Sequence, residues 1–263
     1  MRELEEALGV RLFERKTRAL ELTTAGHALL EEVEPLLEAL DRSLARIARR
    51  GSRRALRLVL PPFFANELFV PRMAGFCAAH PDIDVHIDTH DPRPAVHSPS
   101  ADVSVLLTTD PPPGLKSWKL IDVTLVAACA RQHVATVARM GSEVFQELSL
   151  IVHKARPSAW AAWAEEAGLY PPEPRNVIEL DTLSAVTRAA ECGLGIALVP
   201  EAVCASWFQT GALVRVFGVR LTTAESYFLV CRPKDFERAE VAALVRWLLA
   251  EPGLSAHHAV DEG

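Results

Sequence analysis

The spacing of apolar positions changes period several times along the chain, and each change predicts an element. Leu4 and Leu8 followed by Gly9 suit the end of a helix. Residues 10–15 alternate apolar and polar as a strand does, Lys16-Thr17-Arg18 supplies a turn, and Ala19-Leu20-Glu21-Leu22 returns. Thr23 or Thr24 can cap the helix that follows by accepting from its free N–H groups. That helix is expected to run to about Arg50, bent at Pro35. Its apolar residues Leu29, Val33, Leu36, Leu40, Leu44 and Ile47 are spaced 4, 3, 4, 4 and 3, close to a heptad seam. A single stripe that persists over several turns favours packing on another copy of the chain over packing on the chain's own C-terminal part.

Gly51-Ser52-Arg53-Arg54 reads as a hinge. Beyond it strands and helices alternate. Strands are expected at 55–60, 83–88, 101–107, 120–129, 150–153, 177–180, 196–199 and 227–231. Helices are expected at 67–79, 158–167, 183–192 and 238–249, with a helical turn at 145–148. Such alternation marks parallel sheets covered by helices, an α/β fold. The tail after Pro252 reads as frayed.

Composition narrows the function. Of 263 residues, 49% are hydrophobic and 24% charged, which excludes a disordered chain. No apolar run approaches membrane-spanning length. Met1-Arg2-Glu3-Leu4-Glu5-Glu6 is not a signal peptide, so a cytoplasmic address is expected. The net charge of −6 is unevenly spread. Residues 1–54 hold eleven Lys/Arg against ten Asp/Glu, and the remainder holds 17 against 24. Only the N-terminal segment therefore suits a polyanion. Five scattered cysteines (77, 129, 192, 204 and 231) show no CxxC spacing, which argues against a disulfide framework or a zinc site. Their apolar neighbours predict buried free thiols.

Enzyme chemistry finds no footing. There is no P-loop, GxSxG or HExxH pattern. Gly193-Leu194-Gly195 follows a predicted helix and leads into a strand, the reverse of a dinucleotide loop, and reads as a helix cap with a close-packed strand start. His90, His97 and His133 lie in loops or at helix starts, with no paired carboxylate at useful spacing. No metal and no cofactor is called for.

The run Arg2-Glu3-Leu4-Glu5-Glu6-Ala7-Leu8-Gly9-Val10-Arg11-Leu12-Phe13-Glu14-Arg15, followed by Leu22-Thr23-Thr24-Ala25-Gly26, resembles the LysR-type transcriptional regulators. It is similar to the end of their recognition helix, their wing and the start of their linker helix. Leu68–Phe76, His80-Pro81-Asp82-Ile83, Trp160-Ala161-Ala162-Trp163, Ala189 to Pro200 and Gly211-Ala212-Leu213-Val214 carry the resemblance through the rest of the chain. The paired tryptophans and Gly-Leu-Gly-Ile-Ala-Leu point to the branch with activators of glycine cleavage and β-lactamase expression.

The resemblance implies a two-lobed effector domain like the periplasmic solute-binding proteins, preceded by a wing remnant and a long linker helix. Its expected parts are residues 1–22 (end of recognition helix and wing), 23–54 (linker helix and hinge), 55–122 plus 232–256 (first lobe), 123–231 (second lobe) and 257–263 (tail). Family heads have two further helices ahead of the segment beginning at Arg2, so a regulator cut within its winged helix-turn-helix is expected, with impaired DNA binding. Arg2, Arg11, Arg15, Lys16 and Arg18 are its expected DNA contacts, to phosphates or a minor groove and without base specificity, and they serve equally well as a solvated charged turn. Leu4, Leu8 and Leu12 are expected to pack poorly. The alternative is a small-molecule binding protein that does not bind DNA.

A homodimer or homotetramer is implied, through the Leu29–Ile47 seam and a side-by-side contact of helix 67–79 with strand 83–88. The expected effector cleft lies at the C-terminal ends of the strands. Pro61, Pro62 and Phe63 are expected on one side, Asp181 and Thr182 on the other, Thr108 and Thr109 beneath, with His153 and Tyr227 nearby. The family commonly places hydroxyls where Pro61 and Phe63 stand, so an apolar wall is expected instead. Helix N-termini favour an anionic end and Asp181 an ammonium, which together suggest an amino acid or peptide-like effector. Asp181 and Thr182 serve equally well as plain helix caps.

Overall fold

The computed structural model describes residues 2–16, 19–30, 32–33, 54–90 and 95–254. Helix α1 (Arg2–Leu8) ends at Gly9, whose φ of +68° suits a residue without Cβ. Strands β1 (Phe13–Lys16) and β2 (Ala19–Leu22) pair antiparallel. Glu5 ties helix to ribbon: its Oε1 accepts from the Leu12 and Phe13 amides at 2.7 and 3.2 Å. Those two bonds hold its carboxyl below the usual carboxylate range. Thr23, not Thr24, caps the next helix, α2 (residues 24–30), its Oγ1 accepting from the Gly26 amide at 3.0 Å. A Cβ on Gly26 would stand 2.1 Å from the Leu12 carbonyl oxygen, so the ribbon packs against this turn. Leu4 and Leu8 are exposed as expected, but Leu12 is buried by that contact. In the seam, Leu29 and Val33 are half-buried, and Leu36, Leu40, Leu44 and Ile47 lie outside the described residues. The side chains of Arg2, Arg15 and Lys16, and all of Arg18, lie outside them too, whereas Arg11 is exposed.

The second unit is a single eight-stranded sheet. Its strands are β3 (Arg54–Leu60), β4 (Ile83–Thr89), β5 (Val103–Thr108), β6 (Lys116–Cys129), β7 (Ser149–His153), β8 (Val177–Leu180), β9 (Gly195–Pro200) and β10 (Val214–Cys231). They lie in the order β4-β3-β5-β10-β6-β9-β7-β8. Alternation predicted two all-parallel sheets, and the structure corrects this. The β3-β4, β3-β5, β7-β8 and β7-β9 pairs are parallel, but β6 and β10 pair antiparallel with each other and join the two halves into one sheet. Both joining strands are longer than the apolar runs at 120–129 and 227–231 suggested. Their outer parts alternate, because only one face is covered there.

Helices α3 (Pro62–Phe64), α4 (Met73–Ala79), α5 (Val134–Met140), α6 (Ala159–Glu166), α7 (Leu183–Glu191), α8 (Ala205–Thr210), α9 (Pro233–Phe236) and α10 (Ala239–Ala250) cover the sheet. The helix expected at 67–79 starts earlier, at Pro62, because proline has no N–H to waste at a first helical position. It then loosens to a π-turn over Ala65–Phe69 and tightens to a 3₁₀ turn over Val70–Arg72. Pro71, which cannot donate to the preceding turn, sits within that irregular stretch. Helices α5, α8 and α9 were not anticipated. Gly193 caps α7 at φ +77°, and a Cβ on Gly195 would stand 2.0 Å from the Ser149 carbonyl oxygen, as the cap and close-packing reading requires. Phe217, at φ +68° in the β10 bulge, is held there by ring contacts to Phe145 and Trp163 at 5.7 and 5.3 Å.

Three cysteines are buried as expected, and burial pushes their thiols up, to about 11 for Cys129, about 12 for Cys204 and about 11 for Cys231. Cys77 and Cys192 are exposed, against expectation, because each falls on the outer side of its helix end.

The closing helix is locked to the sheet by one polar knot. Asp102 Oδ2 accepts from the Arg57 amide at 2.9 Å, while Arg238 donates to Asp102 Oδ1 at 2.5 Å, to the Ala55 carbonyl at 2.9 Å and to Glu240 at 2.7 Å. Beside it, Arg232 donates to the Ala101 carbonyl at 2.6 Å and pairs with Asp235. His97 packs near this pair and shares a 2.8 Å hydrogen bond with Ser104 through Nδ1.

Two stability predictions follow from the knot. Arg238→Met should cost about 2–3 kcal/mol in urea unfolding, since it leaves Asp102 buried without its cation. Full burial would cost more, but 28% of the Arg238 side chain is exposed. Burial, reinforced by Arg232 and opposed by Asp235, lowers the His97 pKa from 6.5 to about 4. Between those values the unfolded chain binds a proton that the folded chain refuses. Stability is therefore full above pH 6.5 and falls as pH drops toward 4, by up to about 3 kcal/mol. Denaturant midpoints across this window should fall less steeply in His97→Gln than in the wild-type chain, and equal slopes would refute the assignment.

Candidate functional site

Strands β3 and β5 of one half run opposite to β7 and β8 of the other, and the segments that follow their C-terminal ends converge from the two halves. After β3, Pro61 (φ −57°, ψ 134°) turns the chain, and its carbonyl accepts from the Ala65 amide at 2.9 Å. The turn drives Phe63 and Phe64 inward. Phe63 stacks on Trp207 of α8 with centroids 6.1 Å apart, and Phe64 tilts against Tyr227 of β10 at 5.0 Å. After β7, the Arg156 amide donates to the His153 carbonyl at 2.8 Å, closing a tight turn. The Ala155 amide donates to His153 Nδ1 at 3.1 Å, so this ring nitrogen is an acceptor and the ring proton lies on Nε2. After β8, Thr182 caps α7, its Oγ1 accepting from the Ala185 amide at 3.2 Å.

Between these segments lies a cleft of about 350 Å³. Its walls are Pro61, Pro62, Phe63 and Leu107 from one half of the sheet, His153, Arg156, Asp181, Thr182, Leu183 and Ser184 from the other, and Tyr227 from the joining strand β10. The volume lies within the ordinary range for small-molecule sites. The first half contributes only apolar side chains. The second contributes hydroxyls, an imidazole and charge. Asp181 is exposed, whereas Arg156 is mostly covered and paired with Glu225 of β10. Arg156, Glu225 and Asp181 together leave the cleft one negative charge in excess.

Of the residues anticipated from sequence, the structure brings together Pro61, Pro62, Phe63, His153, Asp181, Thr182 and Tyr227. Thr108 and Thr109 are not among the lining residues. Side chains alternate along β5, so Leu107 faces the cleft and Thr108 turns away, its Oγ1 donating to the Asp110 carbonyl at 2.9 Å. The paired tryptophans are both buried in the second half, and the Trp160 indole N–H donates to the Ile151 carbonyl at 3.0 Å. Sequence reasoning missed Leu107, Arg156, Leu183 and Ser184. The rule that found Pro61 and Asp181 also reaches Arg156, which lies three residues past the end of β7. Among the described residues no group of side chains could hold a metal ion.

Two family descriptions match the chain: "LysR substrate binding domain" over residues 49–253, and "Bacterial regulatory helix-turn-helix protein, lysR family" over residues 1–27. The chain is 27% identical to the glycine cleavage system transcriptional activator of Escherichia coli K12, over 95% of its own length and 82% of that protein. It is 28% identical to the transcriptional activator AmpR of Pseudomonas aeruginosa, over 97% and 86%. These relatives are transcription regulators, not enzymes. Among solved structures, the effector domain of P. aeruginosa AmpR superposes with a TM-score of 0.64 at 27% identity, covering 75% of this chain and 94% of that one. The full-length virulence activator AphB of Vibrio cholerae shares the fold with a TM-score of 0.60, over 95% and 87%. With its substrate-binding domain matched from residue 49 to residue 253, the chain belongs to the LysR family of transcriptional regulators.

Proposed function

We propose that this regulator senses a small amphoteric molecule, an amino acid or a peptide-like fragment, in the 350 Å³ cleft, and that occupancy alters how residues 55–122 with 232–256 sit against residues 123–231. The observation that carries this reading is the cleft's division of labour. Pro61, Pro62 and Phe63 offer an apolar wall, while Asp181, Ser184 and Arg156 on the facing wall offer both signs of charge and a hydroxyl. An exposed Asp181, without an ion-pair partner among the described residues, favours an ammonium, and the negative excess disfavours a simple dianion. The relatives' DNA-binding role supports the same reading for the N-terminal unit. There, exposed Arg11, with Arg2, Arg15, Lys16 and Arg18, would supply phosphate contacts in the cytoplasm.

The coupling between effector and DNA-binding head can be no larger than the effector's differential affinity for the two arrangements of the halves. A homodimer or homotetramer, joined through the Leu29–Ile47 seam, would carry that change between heads.

A thermal-shift screen of free amino acids, short peptides and aromatic acids tests the effector class. A ligand present at a hundredfold its Kd should add about 2.7 kcal/mol of stability. Asp181→Asn should weaken the ammonium-bearing hits roughly tenfold, the worth of one charge-assisted hydrogen bond, and leave unfolding without ligand unchanged. Hits confined to aromatic acids, or an Asp181→Asn variant with unaltered affinity, would refute the amphoteric reading. For assembly, Val33→Asp with Leu40→Asp should lower the sedimenting mass at micromolar concentration, because two carboxylates in the seam would have to be desolvated. An unchanged mass would remove the seam from the interface.

A further inference from the structure

The cleft's one arginine already has a partner that belongs to the strand joining the two halves. Arg156 pairs with Glu225, and their side chains keep only 22% and 33% of their exposure. The backbone at Arg156 is fixed by its amide's bond to the His153 carbonyl, so the guanidinium is delivered to the cleft from a rigid turn. Glu225 is less securely held. On β10 the pairing with β6 jumps from Thr222↔Thr124 to Ser226↔Asp122, so Thr223, Ala224 and Glu225 bulge opposite the single residue Val123. This bulge stands where β10 exchanges neighbours: from Ser226 onward it also pairs with β5, and below Leu125 β6 has no pairing to β9. Thr223 Oγ1 donates to the Val123 carbonyl at 3.0 Å, and Ser226 Oγ to Asp122 Oδ1 at 2.7 Å. Those two bonds, a 3.3 Å bond from Thr223 Oγ1 to the Glu225 carbonyl and the Arg156 pair restrain the bulge.

We propose that Arg156 is the residue that recognises a carboxylate on the effector, and that Glu225 is its internal placeholder. An incoming carboxylate takes the fork of the Arg156 guanidinium, and Glu225, released, frees the bulge at which the two halves of the sheet meet. The proposal rests on the effector reading above and sharpens it by requiring a carboxylate at the end of the molecule away from Asp181. Arginine suits the exchange because its planar fork donates to either carboxylate without change of protonation. An internal competitor makes binding weaker than the contacts alone would give, and the deficit is the free energy available to move the bulge.

The experiment is calorimetry with two matched probe sets, free amino acids and dipeptides against their C-terminal amides, on the wild-type chain and on Glu225→Gln, Arg156→Gln and Arg156→Lys. Acids should bind the wild-type chain and amides should not. Arg156→Gln should lose the acids, and Arg156→Lys should recover them in part. Glu225→Gln should bind the acids roughly tenfold tighter, since the competing charge-assisted contact is gone. In amide hydrogen exchange without ligand, Glu225→Gln should open residues 222–226 while leaving β7 protected. Acids and amides that bind alike, or a Glu225→Gln variant that binds acids no tighter, would overturn the exchange while sparing the effector reading. A panel in which no acid and no amide binds would overturn both. Unchanged exchange at residues 222–226 would overturn the link to the bulge.

Discussion

The antiparallel ladder of β6 and β10 is the constraint on which the rest of the effector unit depends. Each strand is too long for one half of the sheet, and each is shared. Tyr227 to Cys231 of β10 hydrogen-bond to β5 on one side and β6 on the other, whereas Leu125 to Ala128 of β6 carry β9. A parallel strand can be added only through a crossover, so β3, β4 and β5 collect at one end of this ladder and β7, β8 and β9 at the other. The two sets of strand ends that result face a common space. The cleft is therefore a consequence of how the ladder is shared rather than of any single residue that lines it.

The two halves are held together through little besides that ladder at the cleft. Phe63 on Trp207 is an aromatic pair of the kind worth about 0.5–1.5 kcal/mol. Phe64 on Tyr227 ties the first half to β10, and Arg156 on Glu225 ties the second half to the same strand. Both halves thus hold β10 close to its bulge. Contacts of this size can be exchanged for contacts to a ligand, whereas the core beneath, with Leu56, Phe76, Trp163 and Ile196 almost fully covered, cannot be rearranged at such cost. The polar knot of Asp102, Arg238 and Glu240 lies among the structures that stay fixed. It anchors the closing helix to β3 at Arg57 and Ala55 through Asp102, the residue just ahead of β5, away from the cleft at the end of β3.

Much of this was legible in the chain. Strands β3, β4, β7, β8 and β9 lie within two residues of where alternation or a short apolar run put them, because each is bounded by glycine, proline or a helix cap. Pro61, Asp181 and Thr182 were found by one rule, that a ligand meets a parallel sheet where its strands end, and the rule needs only strand boundaries. The joining strands were less legible. The outer part of β10, from Val214 to Glu225, has the half-exposed pattern of a surface ribbon, and nothing local says that its neighbour is β6.

The sequence by itself determined the class of fold, the order of its elements, the family and the strand ends that border the cleft. Those depend on the period of apolar residues, on caps and breakers, and on motifs, all of which are local. Tertiary structure alone decided that the two halves share one sheet, that Leu107 rather than Thr108 faces the cleft, and that Arg156, twenty-five residues before Asp181 and sixty-nine before Glu225, meets both at one site. Strand register sets the first two, and a change of one residue in register reverses every side chain. The third depends on a contact between a turn and a distant bulge, for which a single chain carries no local signal.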